Sequence, residues 1–577
     1  MRLALILVLA ATTVVAGQED VDNTIVDTHY GKVQGDTDLS RGGKMFYQFK
    51  NIPYAKAPER FQPPEIPDHW EDIKNATEYG NQCPQYEPLS KKFFGEEDCL
   101  NLNVFSPSLP TEGEDKILLP VVVMLHPGGH THGSGKIYGP KYFMDENVVM
   151  VTLNSRLGPF GFLNVGHMYA QGNMGIKDQS HALRWVNLNI EKFGGDKARV
   201  TLLGLSAGAA ETVLHLVNPL SKGLIHGAVV QSGSPFSPCS MVRDPISQAK
   251  KLGEQVGCPI DSGENLVMCL KGMDHLEILK KMKMPDPEKE GSDLEEIARF
   301  GPSVEQVLEG QTENDVVLAD SPYKLLTTEE KVVNKVPVIL GAVDHDGLLP
   351  FVAKVVNSTE KMTKLGNNWI EFGPIILDFK SSAKDPAAVA KKLWDHYVGE
   401  GEGKTLDGQT LIKMFTDRYF ASTTRYTAKK FSKYASVYPY YFSHNPEHHI
   451  ILEAFGYPNI TSGLAHLDDM QYLFNGQELK YPEITEEKST ESEYKLSTGL
   501  VKLWVSFFET GKPTKTWGEA KEWKKLENPD KPNFYTIGVE TKNIDEPEEF
   551  VKRMKLWTEL YSGELFGELE TPPPEKF

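Results

Sequence analysis

The segment that most constrains this 577-residue chain is Gly204-Leu205-Ser206-Ala207-Gly208, because of what stands on either side of it. An apolar stretch, Val200-Thr-Leu-Leu203, precedes it, and a helical stretch over 209–217 follows. A serine between two glycines at a strand-to-helix junction is the pattern of a nucleophile elbow. The serine must sit on a strained turn, and a Cβ two residues before or after it would collide with that turn; hence glycine at both positions. The helix beyond aims the positive end of its dipole at Ser206 and at charge developing on a substrate. A bare Gly-x-Ser-x-Gly arises by chance, so the strand before and the helix after supply most of its meaning.

The rest of the chain agrees with that junction. Strand-length apolar runs at 118–125, 148–153, 200–203, 228–231, 336–341 and 438–442 read as buried strands, being β-branched and bounded by turn residues. Between them, 178–192 reads as a helix with Ala182, Trp185, Val186 and Ile190 on one face. Near the end, Phe550, Met554, Trp557 and Tyr561 recur at helical spacing. Strands interleaved with helices imply an α/β protein with a large, mainly parallel sheet flanked by helices. No internal repeat, coiled coil or Ser/Gly-rich linker divides the chain, so a single large domain over 17–577 is expected. A hydrophobic fraction of 40% is enough for its core. The 80 acidic side chains outnumber the 61 Lys and Arg, for a net charge of −19, which argues against a nucleic-acid partner.

The first residues read as an address. Met1-Arg2 is followed by an apolar stretch over 3–15, and Val14-Val15-Ala16 offers a cleavage site, so 1–16 is expected to be a signal peptide. The stretch is short for a membrane span, and no later segment reaches 18 apolar residues. The end, at Phe577, carries neither an ER-retention tetrapeptide nor a hydrophobic anchor tail, so secretion to the extracellular space is expected. Three glycosylation sequons, at Asn75, Asn357 and Asn459, fit that address. Of the five cysteines, 83 and 99 lie 16 residues apart and 258 and 269 lie 11 apart, spacings that admit short local disulfides; Cys239 is left over.

A serine nucleophile needs backbone donors for a tetrahedral oxyanion. His126-Pro127-Gly128-Gly129 follows the strand at 118–125, where such a loop belongs. Pro127 has no N–H, but Gly128, Gly129 and Ala207 can each supply one. Two rival readings of this segment fail. His126, His130 and His132 have no carboxylate continuation that would make a metal site, and Gly133-Ser-Gly-Lys136 has Ile137 where a phosphate loop needs Ser or Thr. No metal and no cofactor is expected.

Longer segments carry a resemblance that spans nearly the whole chain. They are Asn51-Ile-Pro-Tyr-Ala-Lys56, Glu97-Asp-Cys-Leu-Asn-Leu-Asn103, Asn154-Ser-Arg-Leu-Gly-Pro-Phe-Gly-Phe-Leu163, Gly172-Asn-Met-Gly-Ile-Lys-Asp-Gln179 and Phe193-Gly-Gly-Asp196. With them the chain resembles the type-B carboxylesterases, the cholinesterase-like α/β-hydrolases, and among these the secreted insect esterases. The resemblance implies an α/β-hydrolase fold with its active site in a gorge and a triad in the order serine, acid, histidine. Asp346, before Gly347, matches the acid, which is more often Glu; Asp344 is the competitor. His466, in Gly463-Leu-Ala-His466, matches the general base, and His345, His444, His448 and His449 are expected on the surface or in loops. The resemblance also implies disulfides Cys83–Cys99 and Cys258–Cys269, and scaffold ion pairs Arg60–Glu97 and Arg156–Asp178.

Departures narrow the substrate. No tryptophan lies between Cys83 and Cys99, where cholinesterases carry the platform for a quaternary ammonium, and Leu205 replaces their acidic residue before the serine. Juvenile hormone esterases typically have Gln there instead. His130 stands where the family usually has Phe, and is expected at the gorge rim. Cys239 follows Pro238 where Trp is usual, and is expected to be a free, buried thiol on the acyl side of the pocket. Leu205, His130 and Cys239 are thus the candidate pocket residues. A secreted hydrolase of small-molecule carboxylic esters is the first expectation and a dedicated hormone, pheromone or odorant esterase the second. A noncatalytic adhesion relative is the third, disfavoured because all three triad members are kept.

Overall fold

Strands that are apolar on both faces can be buried only inside a sheet covered on both sides, and that is where the apolar runs lie. The computed structural model describes residues 24–56, 59–111, 117–282, 299–460, 463–476, 481–519, 522–574 and 577, so the expected signal peptide falls outside the described residues. Its main sheet has eleven strands: β1 (Asp36–Leu39), β2 (Met45–Pro53), β3 (Asn101–Ser106), β4 (Leu119–Leu125), β5 (Val149–Leu153), β6 (Gly195–Leu205), β7 (Gly227–Gln231), β8 (Val338–Val343), β9 (Val437–Phe442), β10 (Asn533–Ile537) and β11 (Lys542–Asp545). Their spatial order is β11-β10-β9-β8-β7-β6-β4-β5-β3-β2-β1. The run from β10 to β5 is parallel throughout, and antiparallel strands close both edges.

Alternate side chains of each parallel strand feed two apolar layers. Val121, Val123 and Leu125 of β4 join Leu202, Val230 and Leu340 on one face, where Trp185 and Val186 of α1 (Met174–Asn189) and Val213 of α2 (Ala207–His215) pack. Val122 and Met124 join Leu203, Val229 and Ile339 on the other, covered by Leu500, Leu503 and Trp504 of α5 (Glu491–Thr510). Three more helical pieces matter to the site: α3 (Gly408–Phe415), a π-helical turn (Thr416–Ala421) and α4 (Ser422–Phe431); α6 (Glu548–Ser562) is the helix read from the spacing of Phe550 to Tyr561.

Strand expectations hold to within about two residues, except that β6 starts five residues early, with a register shift between Gly195 and Val200. Helix α1 begins one turn before the sequence suggests. Asp178 is not near its start because that carboxylate is turned inward, taking 2.8 and 2.6 Å hydrogen bonds from the Arg156 guanidinium and one of 3.0 Å from the Arg156 N–H. Both expected disulfides are present, as is the Arg60–Glu97 pair. Asn75, Asn357 and Asn459 are exposed, and no helix among the described residues is long and apolar enough to cross a membrane.

The Arg156–Asp178 pair is buried, at 5% and 0% side-chain exposure. Removing one partner strands a buried charge, so Arg156→Met should lower stability by about 3–5 kcal/mol. The double change Arg156→Met/Asp178→Leu should cost less than the single change, as measured by denaturant midpoint. A double variant worse than the single one would show that packing, not charge, dominates there.

Candidate active site

β6 ends at Leu205, and the chain turns at Ser206 through φ 55°, ψ −117°, a left-handed conformation that costs a non-glycine residue energy. The turn is held from the sheet side, since the Ser206 N–H donates to the Gln231 carbonyl of β7 at 2.9 Å. A Cβ on Gly204 would run into the Gly208 carbonyl, as expected of a tight elbow. A Cβ on Gly208 would instead strike the carbonyl of Leu125, the last residue of β4. The second glycine is therefore demanded by the neighbouring strand as well as by the turn.

From Ser206 a chain of hydrogen bonds leads inward. Ser206 Oγ lies 2.9 Å from His466 Nε2, and His466 Nδ1 lies 2.6 Å from Asp346 Oδ1. Asp346 is fully buried at the end of β8, and its second oxygen accepts the Val343 N–H at 3.1 Å. Asp344, the competing carboxylate, faces elsewhere. It accepts the Leu464 N–H at 2.6 Å and the Ser443 hydroxyl at 3.1 Å, so it anchors the loop that carries His466. Histidines 345, 444 and 448 sit in loops, 345 and 444 half-buried, against Asp344, Glu493 and Glu453 respectively. His449 also lies in a loop, but it is buried, 2.7 Å from Asp468, because that carboxylate two residues past His466 needs a partner inside the fold.

The π-helical turn touches this chain at three points, none of them legible in the sequence. Thr416 Oγ1 accepts the Gly347 N–H at 2.9 Å, steadying the residue after Asp346. The Phe420 ring lies 4.6 Å from the His466 ring, centroid to centroid. The Tyr419 carbonyl accepts from Ser237 and so ties down the segment leading to Cys239. Residues 408–431 form one continuous helical run, and the wider turn at 416–421 carries all three groups.

Two of the three candidate oxyanion donors sit on a loop of three successive positive φ angles: Gly128 at 132°, Gly129 at 59° and His130 at 62°; the third, Ala207, opens α2. No backbone carbonyl among the described residues accepts from the N–H of Gly128, Gly129 or Ala207. The three histidines here do not converge on a metal site. His126 Nδ1 lies 2.9 Å from the Pro127 carbonyl, His130 Nδ1 lies 2.9 Å from Glu211, and His132 faces the Thr131 hydroxyl. Burial lowers the pKa of His126 and brings that of His132 down to about 4, so both are neutral at physiological pH.

Two of the three pocket candidates are turned inward, and the third is more open than expected. Leu205 is 1% exposed and belongs to the apolar layer of Met124 and Leu203, because odd positions of β6 near its end face that layer; it offers no surface to a substrate. His130 is not at a rim, since its side chain is 1% exposed and turned inward to Glu211. Cys239 is free, as expected, but exposed rather than buried. Desolvation of the sulfur by the surrounding protein nonetheless raises its pKa, which keeps it a thiol at neutral pH.

One further carboxyl lies beside the triad. Asp469 is 1% exposed; one oxygen accepts from Gln231 Nε2 at 2.8 Å, and the other has no partner among the described residues. Burial, then the nearby Asp346, push its pKa up to about 7. An unfolded chain ionises this group near 3.8, so its contribution to stability is complete below that pH and is lost as pH rises to about 7. Asp469→Asn keeps an acceptor for Gln231 and cannot ionise. It should leave the melting temperature nearly unchanged at pH 4 and raise it at pH 8, by up to a few kcal/mol in stability at about 1.4 kcal/mol per pH unit. An equal change at both pH values would contradict this.

The sequence model of the Carboxylesterase family matches residues 22–556. Esterase FE4 of Myzus persicae is 32% identical over 85% of this chain and 84% of its own length. Venom carboxylesterase-6 of Apis mellifera is 30% identical over 89% and 90%, and juvenile hormone esterase of Tribolium castaneum 33% over 85% and 84%. In fold, the chain matches the crystal structure of juvenile hormone esterase from Manduca sexta with a TM-score of 0.79 at 24% identity, over 93% of this chain and 99% of that one. A large mostly parallel sheet with flanking helices, a serine elbow at its edge and a family match over nearly the whole length agree: the chain belongs to the carboxylesterase family and is a carboxylic ester hydrolase of the serine type.

Proposed function

We propose that this protein is a secreted hydrolase of small-molecule carboxylic esters, a single catalytic domain following a cleaved signal peptide, acting through Ser206, His466 and Asp346. The observation that carries the reading is the unbroken contact from Ser206 Oγ through His466 to Asp346, at 2.9 and 2.6 Å. His466 Nε2 takes the serine proton as Oγ attacks the ester carbonyl. Asp346 accepts the Nδ1–H, so the lone pair of the imidazole stands at Nε2, facing Ser206. The N–H groups of Gly128, Gly129 and Ala207 receive the negative charge on the carbonyl oxygen, one such donor contributing about 2.7–4 kcal/mol to barrier lowering. The alcohol leaves with the proton from His466, and water, activated by the same histidine, releases the acid from the acyl-enzyme. Secretion is supported by the apolar N-terminus and by relatives such as the bee venom esterase.

A dedicated hormone esterase is the second reading, favoured by the relatives that bear that name. Turnover on a panel of esters varying acyl length and alcohol bulk separates the two: a broad profile supports the general enzyme, and a single preferred ester supports the dedicated one.

An organophosphate should add one phosphoryl group per chain by intact mass, and none to Ser206→Ala. Asp346→Asn should lower kcat by about 10⁴-fold, whereas Asp344→Asn, which loosens only the histidine loop, should cost far less. The reverse order would reassign the acid.

Cys239 remains the candidate for the acyl side, since Ser237 ties its segment to Tyr419, next to the phenyl ring lying on His466. Cys239→Trp should shift preference toward acetate and propionate esters, each excluded methylene being worth about 0.8 kcal/mol. An unchanged acyl profile with activity retained would remove Cys239 from the pocket.

A further inference from the structure

The oxyanion loop has an unusual anchor. Gly128 and Gly129 have no side chains, and the backbone bonds within the turn run to the Gly128 carbonyl, from Thr131 at 3.0 Å and His132 at 3.2 Å. A loop with three positive φ angles in a row stays put only if its surroundings hold it. His130 is the first residue after the glycines with a side chain to hold. Its Nδ1 lies 2.9 Å from Glu211 Oε1, and its carbonyl accepts the Gly158 N–H at 2.8 Å.

Glu211 stands on α2, the helix that begins at the nucleophile elbow, and the pair is buried at 1% and 8% side-chain exposure. The other Glu211 oxygen accepts from Gln179 Nε2 of α1 at 2.9 Å, and the same amide nitrogen reaches the Ser155 hydroxyl at 3.3 Å. The Gln179 carbonyl oxygen in turn faces His215 Nε2 at 3.0 Å. Burial brings the His215 pKa down to about 4, so that ring is neutral at working pH. Because the Gln179 oxygen can only accept, His215 carries its proton on Nε2. That donor order leaves both Glu211 oxygens as acceptors, one for α1 and one for the loop.

Behind the loop, Pro127, His130, Ala207, Glu211, Gln179 and Ser155 line a cavity of only ≈ 10 Å³ for the centre of a water molecule, room for about one water. His130 Nε2 is buried, with no protein partner among the described residues. The imidazole is thus enclosed behind the donor loop, turned away from solvent.

We propose that the His130–Glu211 pair is a positioning device that locks the loop bearing Gly128 and Gly129 to the helix bearing Ser206 and Ala207, fixing the spacing of the oxyanion donors. The proposal rests on the reading of Ser206 as nucleophile and of these N–H groups as oxyanion donors. A displacement of about 1 Å in such donors costs up to about 100-fold in rate. The pair therefore acts on the transition state, where the oxyanion exists, and scarcely on ground-state binding.

The test compares Glu211→Ala, His130→Ala, Glu211→Gln and the double alanine variant of the full-length protein. The readouts are kcat and KM on an activated aryl ester and affinity for a trifluoromethyl ketone, whose adduct places an oxyanion among the donors. Glu211→Ala should lower kcat about 10- to 100-fold, weaken the ketone by the same factor and leave KM within about twofold. The double variant should be no worse than the poorer single one, and Glu211→Gln, which keeps an acceptor for His130, should recover most of the loss. If Glu211→Ala fails to fold, His130→Ala reads the same loss from the loop side. Ketone affinity and kcat within about threefold of native in a folded alanine variant would overturn the proposal. So would a KM effect at constant kcat, or equal losses in Glu211→Gln and Glu211→Ala. Activity that survives Ser206→Ala would instead overturn the functional reading, and it is recognised without any Glu211 variant.

Discussion

The close approach of α2 to the ends of β4 and β6 is the constraint on which the site depends. It exists because Gly204 and Gly208 leave no Cβ where the Gly208 and Leu125 carbonyls pass. With that clearance the chain can leave the sheet at Ser206 through a left-handed turn, start a helix at once and keep Ala207 N–H free. The same approach brings the loop after β4 alongside the helix start, so that candidate donors from two distant parts of the sequence lie near one another. Any side chain at either glycine would push the helix outward and separate nucleophile from donors together.

The parallel sheet then decides where everything else falls. In a parallel sheet the carboxyl ends of the strands share one edge, and ligands bind there in open α/β folds. β6 delivers Ser206 and β8 delivers Asp346, and neighbouring β7 supplies the Gln231 carbonyl that holds the elbow. The histidine loop is bridged to β8's end at His345 and Ala465, and Asp344 binds its backbone. Two aspartates two residues apart thus have separate work, one orienting the imidazole and one holding the segment that carries it. Their side chains diverge because both lie in the turn that follows the strand.

Two buried carboxylates near the site are treated differently by their surroundings. Asp469 keeps one oxygen without a partner among the described residues, next to another buried carboxylate, an arrangement that costs stability and sits beside the candidate triad. The His130–Glu211–Gln179–His215 chain, by contrast, satisfies both oxygens of its carboxylate and runs across three elements. Buried networks of this kind specify geometry more than they add net stability.

Residue types and their order were enough to mark the elbow, the glycine loop after β4 and the strands and helices of the sheet's middle, and, through the family resemblance, to single out Ser206, Asp346 and His466, which the fold brings within hydrogen-bond reach of one another. Each of these leaves a local mark: glycine spacing, β-branched runs, helical periodicity or a motif along the chain. The edge strands left little, since Asp36-Thr-Asp-Leu39 has no buried face to pattern. What the tertiary structure alone decided was direction. Nothing local distinguishes a His130 at a rim from one turned back onto a glutamate 81 positions away, a Cys239 in the core from one reaching solvent, or a Leu205 in a pocket from one in an apolar layer. Those outcomes depend on which partner occupies the space opposite each side chain, and that partner is brought there by packing between segments far apart in the chain.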